Sequence, residues 1–181
     1  MSQAGLEPTK LVFIDETWAK TNMARTRGWC GVGERLVAKV PHGHWKTTTL
    51  IAALDHRGMR CSMTIDGAVN RDVFESFLTQ VLVPKLTPGD IVVMDNLSSH
   101  KGEKVRTLIE SAEAKVLYLP PYSPDLNPIE PAFSKLKQLL RSAAHRTIEA
   151  LWSDVQRMLD LITASDAQGY FRHCGYPLQV S

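Results

Sequence analysis

Apolar positions recur along this chain in two periods, and the changes between them outline a fold. Lys10-Leu-Val-Phe-Ile-Asp15 is an apolar run of strand length that closes on a carboxylate. Leu36 to Val40 is a shorter strand candidate. Thr47 to Leu54 and Met59 to Ile65 are strand-like runs separated by Asp55-His-Arg-Gly58, a hairpin signal with a turn-compatible glycine. From Asn70 to Leu82 the period lengthens. Val73, Phe74, Phe77, Leu78, Val81 and Leu82 recur at three- and four-residue spacing, as on one face of a helix, with Asn70 as N-cap and Pro84 and Pro88-Gly89 as stops.

Asp90-Ile-Val-Val-Met-Asp95 returns to a short buried-strand run, again ending on a carboxylate. A helix over Lys101 to Ala112, a strand over Lys115 to Leu119 and a Pro-rich turn follow. Two helices close the pattern, Pro131 to Arg141 and Thr147 to Thr163. A hairpin first and alternation afterwards predict an α/β domain with a mixed sheet and helices packed on its faces.

Composition changes this picture little. A chain of 181 residues can bury one core without staples, and 44% hydrophobic with 22% charged residues is ordinary for a globular protein. The net charge of +2 permits a nucleic-acid partner without demanding one. Cys30, Cys61 and Cys174 are odd in number, far apart and without a CxxC pair, which predicts reduced thiols rather than a zinc site. No apolar run approaches the ~20 residues of a membrane span, and MSQAGLEPTK lacks the apolar core of a signal peptide. The expectation is a soluble, cytoplasmic protein, nucleoid-associated when bound to DNA.

Chemistry enters at the strand ends. In sheets covered by helices, ligands gather there, and both Asp15 and Asp95 close an apolar strand. Taken singly, each could cap the following turn. The third carboxylate changes the balance. Pro120-Pro-Tyr-Ser-Pro-Asp-Leu-Asn-Pro-Ile-Glu130 is a stiff approach that delivers Glu130 to the mouth of a helix. Asn127 to Glu130 reads as a capping box, although Pro131 disfavours helical geometry at Glu130. Carboxylates ~4 Å apart repel by roughly 4 kcal/mol per pair at an effective dielectric near 20. Divalent Mg²⁺, which prefers oxygen ligands, reverses that balance. Two such ions can activate an attacking oxygen and stabilise a leaving one, which is the chemistry of in-line attack on a phosphodiester.

Three segments carry a family resemblance: Phe13-Ile-Asp-Glu-Thr-Trp18, Val92-Val-Met-Asp-Asn-Leu-Ser-Ser-His100 and Tyr122-Ser-Pro-Asp-Leu-Asn-Pro-Ile-Glu130. They resemble the three motifs of DDE transposases, most closely the mariner-like superfamily in its bacterial insertion-sequence branch. Asp95 and Glu130 are separated by 34 residues, a spacing typical of that group. Arg27-Gly-Trp29 and Trp45-Lys-Thr-Thr-Thr49 are also similar to the family, and the likeness runs from about Lys10 to Arg141. Phe133 stands where many relatives carry tryptophan.

The resemblance implies a ribonuclease H-like fold, a mixed five-stranded sheet with helices on both faces. It also implies Asp15, Asp95 and Glu130 as catalytic residues and ligands of two Mg²⁺ ions, with Mn²⁺ as a substitute. The implied reactions are strand cleavage at transposon ends and transfer of the freed 3′-OH into target DNA. The partners would be transposon-end and target DNA, a second copy of the chain on DNA, and an upstream DNA-binding region. Full-length relatives carry a helix-turn-helix ahead of the catalytic domain, and the expectation is one catalytic domain over 1–181 without it. A non-catalytic remnant that binds DNA or a transposase partner, and a host ribonuclease H-like nuclease, are the alternatives.

Secondary candidates surround this triad. Asn96 and His100 would orient Asp95 or touch a phosphate, and His100 reads equally as a helix-start residue. Lys137, seven residues after Glu130, shares its helix face and could reach a phosphate, whereas Lys135 reads as solvated. Arg25, Arg27, Arg35 and Lys39 form a basic stretch suited to phosphate contact. His42-Gly-His44 reads as an ordinary loop.

Overall fold

A computed structural model describes residues 5–39, 46–96 and 100–178. It contains five strands: β1 (Leu11–Lys20), β2 (Thr47–Asp55), β3 (Gly58–Asp66), β4 (Ile91–Met94) and β5 (Lys115–Tyr118). The sheet order is β3-β2-β1-β4-β5. β3, β2 and β1 are antiparallel neighbours, and β1, β4 and β5 are parallel. The sheet is mixed, as the hairpin-then-alternation pattern requires.

The β2–β3 hairpin turns at Asp55 to Gly58, which pair across the ladder. Asp55 Oδ1 accepts from the Arg57 amide at 2.7 Å, and Gly58 has φ +129, a backbone that L side chains avoid. A Cβ there would also lie 3.0 Å from the Ile162 carbonyl oxygen. At this end of the sheet Arg60 joins Asp90 at 2.9 Å and Asp55 at 3.7 Å, tying the start of β4 to the hairpin.

Helices cover both faces. α1 (Arg71–Phe77) and α2 (Glu103–Glu110) lie on one side; α3 (Ile129–Ala143), α4 (Ile148–Leu159) and α5 (Ala164–His173) lie on the other. Strand alternation sorts the core accordingly. Val12, Ile14, Ile51, Val92 and Met94 face Phe74, Phe77, Val105 and Ile109. Leu11, Phe13, Leu54 and Val93 face Phe133, Leu136, Leu140, Val155 and Phe171. Ile129, Ala132, Phe133, Leu136 and Leu140 make one buried stripe along α3.

Several sequence expectations are corrected. Leu36 to Lys39 is irregular and exposed rather than a strand, with Val37 at 84%; among the described residues no strand pairs with it, and Val40 lies outside them. The helix begins at its Asn70 cap, where the side chain accepts from the Val73 amide at 2.9 Å. It then loosens into a π turn over Leu78–Leu82 and a 3₁₀ turn over Val83–Lys85. The helix expected over Thr147 to Thr163 stops at Leu159, and a fifth helix follows. Thr163 and Asp166 form a reciprocal capping box that starts α5 afresh.

Pro131 does not keep Glu130 out of helical geometry. It is the third residue of α3, within the first turn, where a missing N–H costs no hydrogen bond. The three thiols are free, with Cys61 and Cys174 buried. Among the described residues no helix is long and apolar enough to cross a membrane. His42 and His44 lie outside the described residues.

Candidate active site

The site forms where the two central parallel strands separate. β1 pairs with β4 only from Leu11–Ile91 to Phe13–Val93. Two residues further on, that register brings Asp15 level with Asp95, on strands ~4.8 Å apart. Side-chain alternation aims Asp15 to the face of Phe13, which α3 covers. After β5, the residues Pro120 to Asn127 cross back over this fork and deliver α3, whose second residue is Glu130. Asp15, Asp95, Asn96, Tyr122, Asn127 and Glu130 thereby line one cleft of about 430 Å³.

Electrostatics follow from that gathering. Burial is the largest effect on Asp15, and the charges of Glu130 and Asp95 add to it; together they push its carboxyl from 3.8 up to about 7. Two hydrogen bonds oppose the shift. The Glu16 amide donates to Asp15 Oδ1 at 2.7 Å, and Asn127 Nδ2 donates to Oδ2 at 2.8 Å. The expected capping role of Asn127 is therefore replaced: its side chain holds Asp15, and Pro128 occupies the N-cap position without a side-chain cap hydrogen bond. Asn127 is 4% exposed, and its Oδ1 is buried without a hydrogen-bond partner among the described residues.

His100 is a buried link rather than the start of α2, which begins at Glu103. It is 1% exposed, with Nδ1 2.5 Å from Asp95 Oδ1 and Nε2 3.2 Å from Glu16 Oε1. The ring stacks on Phe74 with centroids 4.2 Å apart. Burial pulls its pKa down, but the hydrogen bonds to Asp95 and Glu16 outweigh it and raise the imidazole to about 9. A cationic ring is thus held between two carboxylates.

Lys137 turns toward the end of β1, with Nζ 4.8 Å from the centre of the Trp18 ring, which also carries Lys20 at 4.9 Å. Burial lowers its pKa, and it lies within the fields of Glu130 and Arg141. Lys135 is not simply solvated: Nζ donates to Asp166 at 2.7 Å and to the Leu161 carbonyl at 2.9 Å, joining α3 to α5. Arg27 stands apart from the carboxylates, beside Arg25 and the middle of α3. Arg35 and Lys39 are exposed. Phe133 is 2% exposed and belongs to the core.

Four contributors escaped sequence reasoning. The Glu16 side chain and Phe74 meet the site through the tertiary position of His100. Asn127 was visible only as a cap. Tyr122, fully exposed on the cleft rim, has φ 56, an unusual backbone for a non-glycine residue; its flanking prolines were the available signal.

The donor set suits a hard divalent cation. It is all oxygen, three carboxylates line one cleft, and Asn127 Oδ1 is an unpaired buried acceptor beside them. Among the described residues no group of three His, Cys, Asp or Glu side chains stands close enough to hold an ion as it is. The His100 contact occupies one oxygen of Asp95.

A mixed sheet in this strand order, covered on both faces by helices, defines a ribonuclease H-like fold. The chain belongs to the DDE superfamily endonucleases, whose family model matches residues 10–157. A search of curated protein sequences finds no match.

Solved structures agree on the fold. A Mos1 transposase paired-end complex with left transposon end is 22% identical with TM-score 0.73, covering 92% of this chain and 52% of that one. The Mos1 mariner paired-end complex with Mn is 22% identical with TM-score 0.69, covering 92% and 52%. A Mos1 transposase catalytic domain with raltegravir and Mg is 20% identical with TM-score 0.67, covering 92% and 77%. The chain spans about half the length of the Mos1 chains in the paired-end complexes.

Proposed function

We propose that this chain is the catalytic domain of a DDE transposase, cutting DNA strands at transposon ends and joining the freed 3′-OH to target DNA. The observation that carries the reading is the convergence of Asp15, Asp95 and Glu130 on one cleft from two strand ends and one helix start. Asp15, Asp95 and Glu130 would hold two Mg²⁺ ions, or Mn²⁺ in their place. When bound, such ions stabilise charge on the attacking and leaving oxygens of a phosphodiester. Mos1 structures contain Mg or Mn, and others are complexes with transposon ends, which supports the same metals and the same substrate class here.

The chain's own residues position these groups. Asn127 and the Glu16 amide fix both oxygens of Asp15. His100 fixes Asp95 from behind. Asn96 and Tyr122, on the cleft wall, are placed to contact the nucleotide at the reacting phosphate. Lys137 and Arg27 contribute positive charge for the DNA backbone. A homodimer on DNA and an upstream DNA-binding region of the same transposase complete the assembly, working with DNA in the cytoplasm.

The test is cleavage of duplex DNA carrying the element's ends, in Mg²⁺ or Mn²⁺. Asp95→Ala abolishes cleavage and leaves DNA binding near the parent's level. Equal cutting by parent and variant overturns the assignment.

A further inference from the structure

A second polar cleft of about 470 Å³ lies along α3, lined by Arg25, Thr26, Arg27, Ser134, Gln138 and Arg141. Its charge is lopsided. Arg57, Arg60, Arg106 and Arg157 each pair with a carboxylate, but among the described residues none of Arg25, Arg27 and Arg141 has one within 4.0 Å. Three unpaired guanidiniums around a hydroxyl-lined hollow repel one another unless an anion lies between them. Ser134, Thr26 and Gln138 add neutral donors of the kind that accompany phosphate oxygens.

The cleft is held in shape from beneath. Arg146 Nη1 donates to the carbonyl of Met23 at 2.9 Å and to that of Thr21 at 3.3 Å. Met23 is itself buried in the core. The chain leaving β1 is thus pinned beside the end of α3 just before Arg25 and Arg27.

Its position is set relative to the carboxylates. Ser134, Gln138 and Arg141 follow Glu130 on the same helix, and at a rise of ~1.5 Å per residue Gln138 and Arg141 lie about 12 and 16 Å along the axis from Glu130. At a rise of ~3.4 Å per nucleotide that distance corresponds to roughly three to five phosphates.

We infer that this cleft is a phosphate clamp for the sugar-phosphate backbone of the DNA strand being processed, gripping it roughly three to five phosphates from the one at the carboxylates. The inference rests on the DNA reading above. The clamp gives affinity and sets the register of the strand over the cleft without reading its bases.

The experiment uses the whole chain and duplex DNA without divalent metal, reading affinity by fluorescence anisotropy across a salt series. Arg25→Gln, Arg27→Gln and Arg141→Gln combined reduce the salt slope by roughly 2.7, at ~0.9 for each of three phosphate contacts released. The same three positions changed to Lys keep most of the slope, and Arg157→Gln, which removes one positive charge elsewhere, leaves it unchanged. Replacing single phosphates by neutral methylphosphonates, roughly three to five linkages from the cleavage point, weakens binding to the parent and not to the Gln variant. A parental slope in the Gln variant, an equal loss with Arg157→Gln, or methylphosphonate sensitivity that survives in the Gln variant overturns the clamp. Binding of inorganic phosphate with no effect on DNA affinity does so too. Asp95→Asn separates the two readings, because it leaves every one of these binding results intact while removing cleavage; if Asp95→Asn still cuts, the catalytic reading fails and the clamp stands on its own result.

Discussion

Asp15 is expected to make the metal-free protein less stable. Its carboxyl rises from 3.8 to about 7, first through burial and then through Glu130 and Asp95. A raised folded-state pKa contributes stability that is full below the ordinary 3.8 and lost as pH climbs through about 7. Above that, ionised Asp15 is a net cost. At ~1.36 kcal/mol per pH unit the rise corresponds to about 4 kcal/mol. The cleft admits water on one side, and screening brings the figure to roughly 2 kcal/mol.

Asp15→Asn removes the charge and keeps an acceptor for the Glu16 amide, and the Asn127 amide can turn so that its unpaired Oδ1 accepts from the new side chain. In EDTA at pH 8 the variant should therefore melt about 4–8 °C above the parent, for a chain of this size. At pH 4, where Asp15 is protonated in the folded state, the two should melt together. Millimolar Mg²⁺ should raise the parent's melting point and leave the variant's nearly unchanged. Differential scanning calorimetry or a urea series reads all three. A variant no more stable than the parent at pH 8, or an equal gain at pH 4, refutes the account of a strained carboxylate cluster.

Two further outcomes concern the scaffold. Asp166→Ala removes the α5 capping box and the Lys135 contact, and should cost about 1–2 kcal/mol at pH 7 in urea denaturation. Lys135 and the Thr163 cap hold the Asp166 carboxyl down at about 2, so this contribution is present above pH 3.8 and fades as pH falls through about 2; parent and variant should converge in that window. Arg146→Met frees the carbonyls of Thr21 and Met23, and limited proteolysis should then cut residues 24–39 several-fold faster at unchanged melting point within a few degrees. Equal cutting rates would show that Arg146 does not hold that segment.

Sequence by itself determined the elements whose burial has one period. The β1 and β4 runs are apolar throughout because helices cover both faces of the sheet, and the Asn70 cap and Asp55–Gly58 turn are local hydrogen-bond and backbone requirements. The three carboxylates were legible because each ends a strongly patterned segment, and SPDLNPIE is distinctive even in isolation.

What sequence could not carry depends on distance through space. Leu36 to Val40 has strand character, but a strand needs a neighbour, and Leu36 to Lys39 finds none among the described residues. Asn127 looks like a cap until β1 brings Asp15 within 2.8 Å of it. Glu16 and His100 are separated by 84 residues, and only the packing of Phe74 beneath the imidazole makes them partners. Arg25 and Arg141 become one basic hollow only because Arg146 ties the chain after β1 beside the end of α3. Local periods report which face of a segment is buried; which charges then meet is decided by how the buried faces pack.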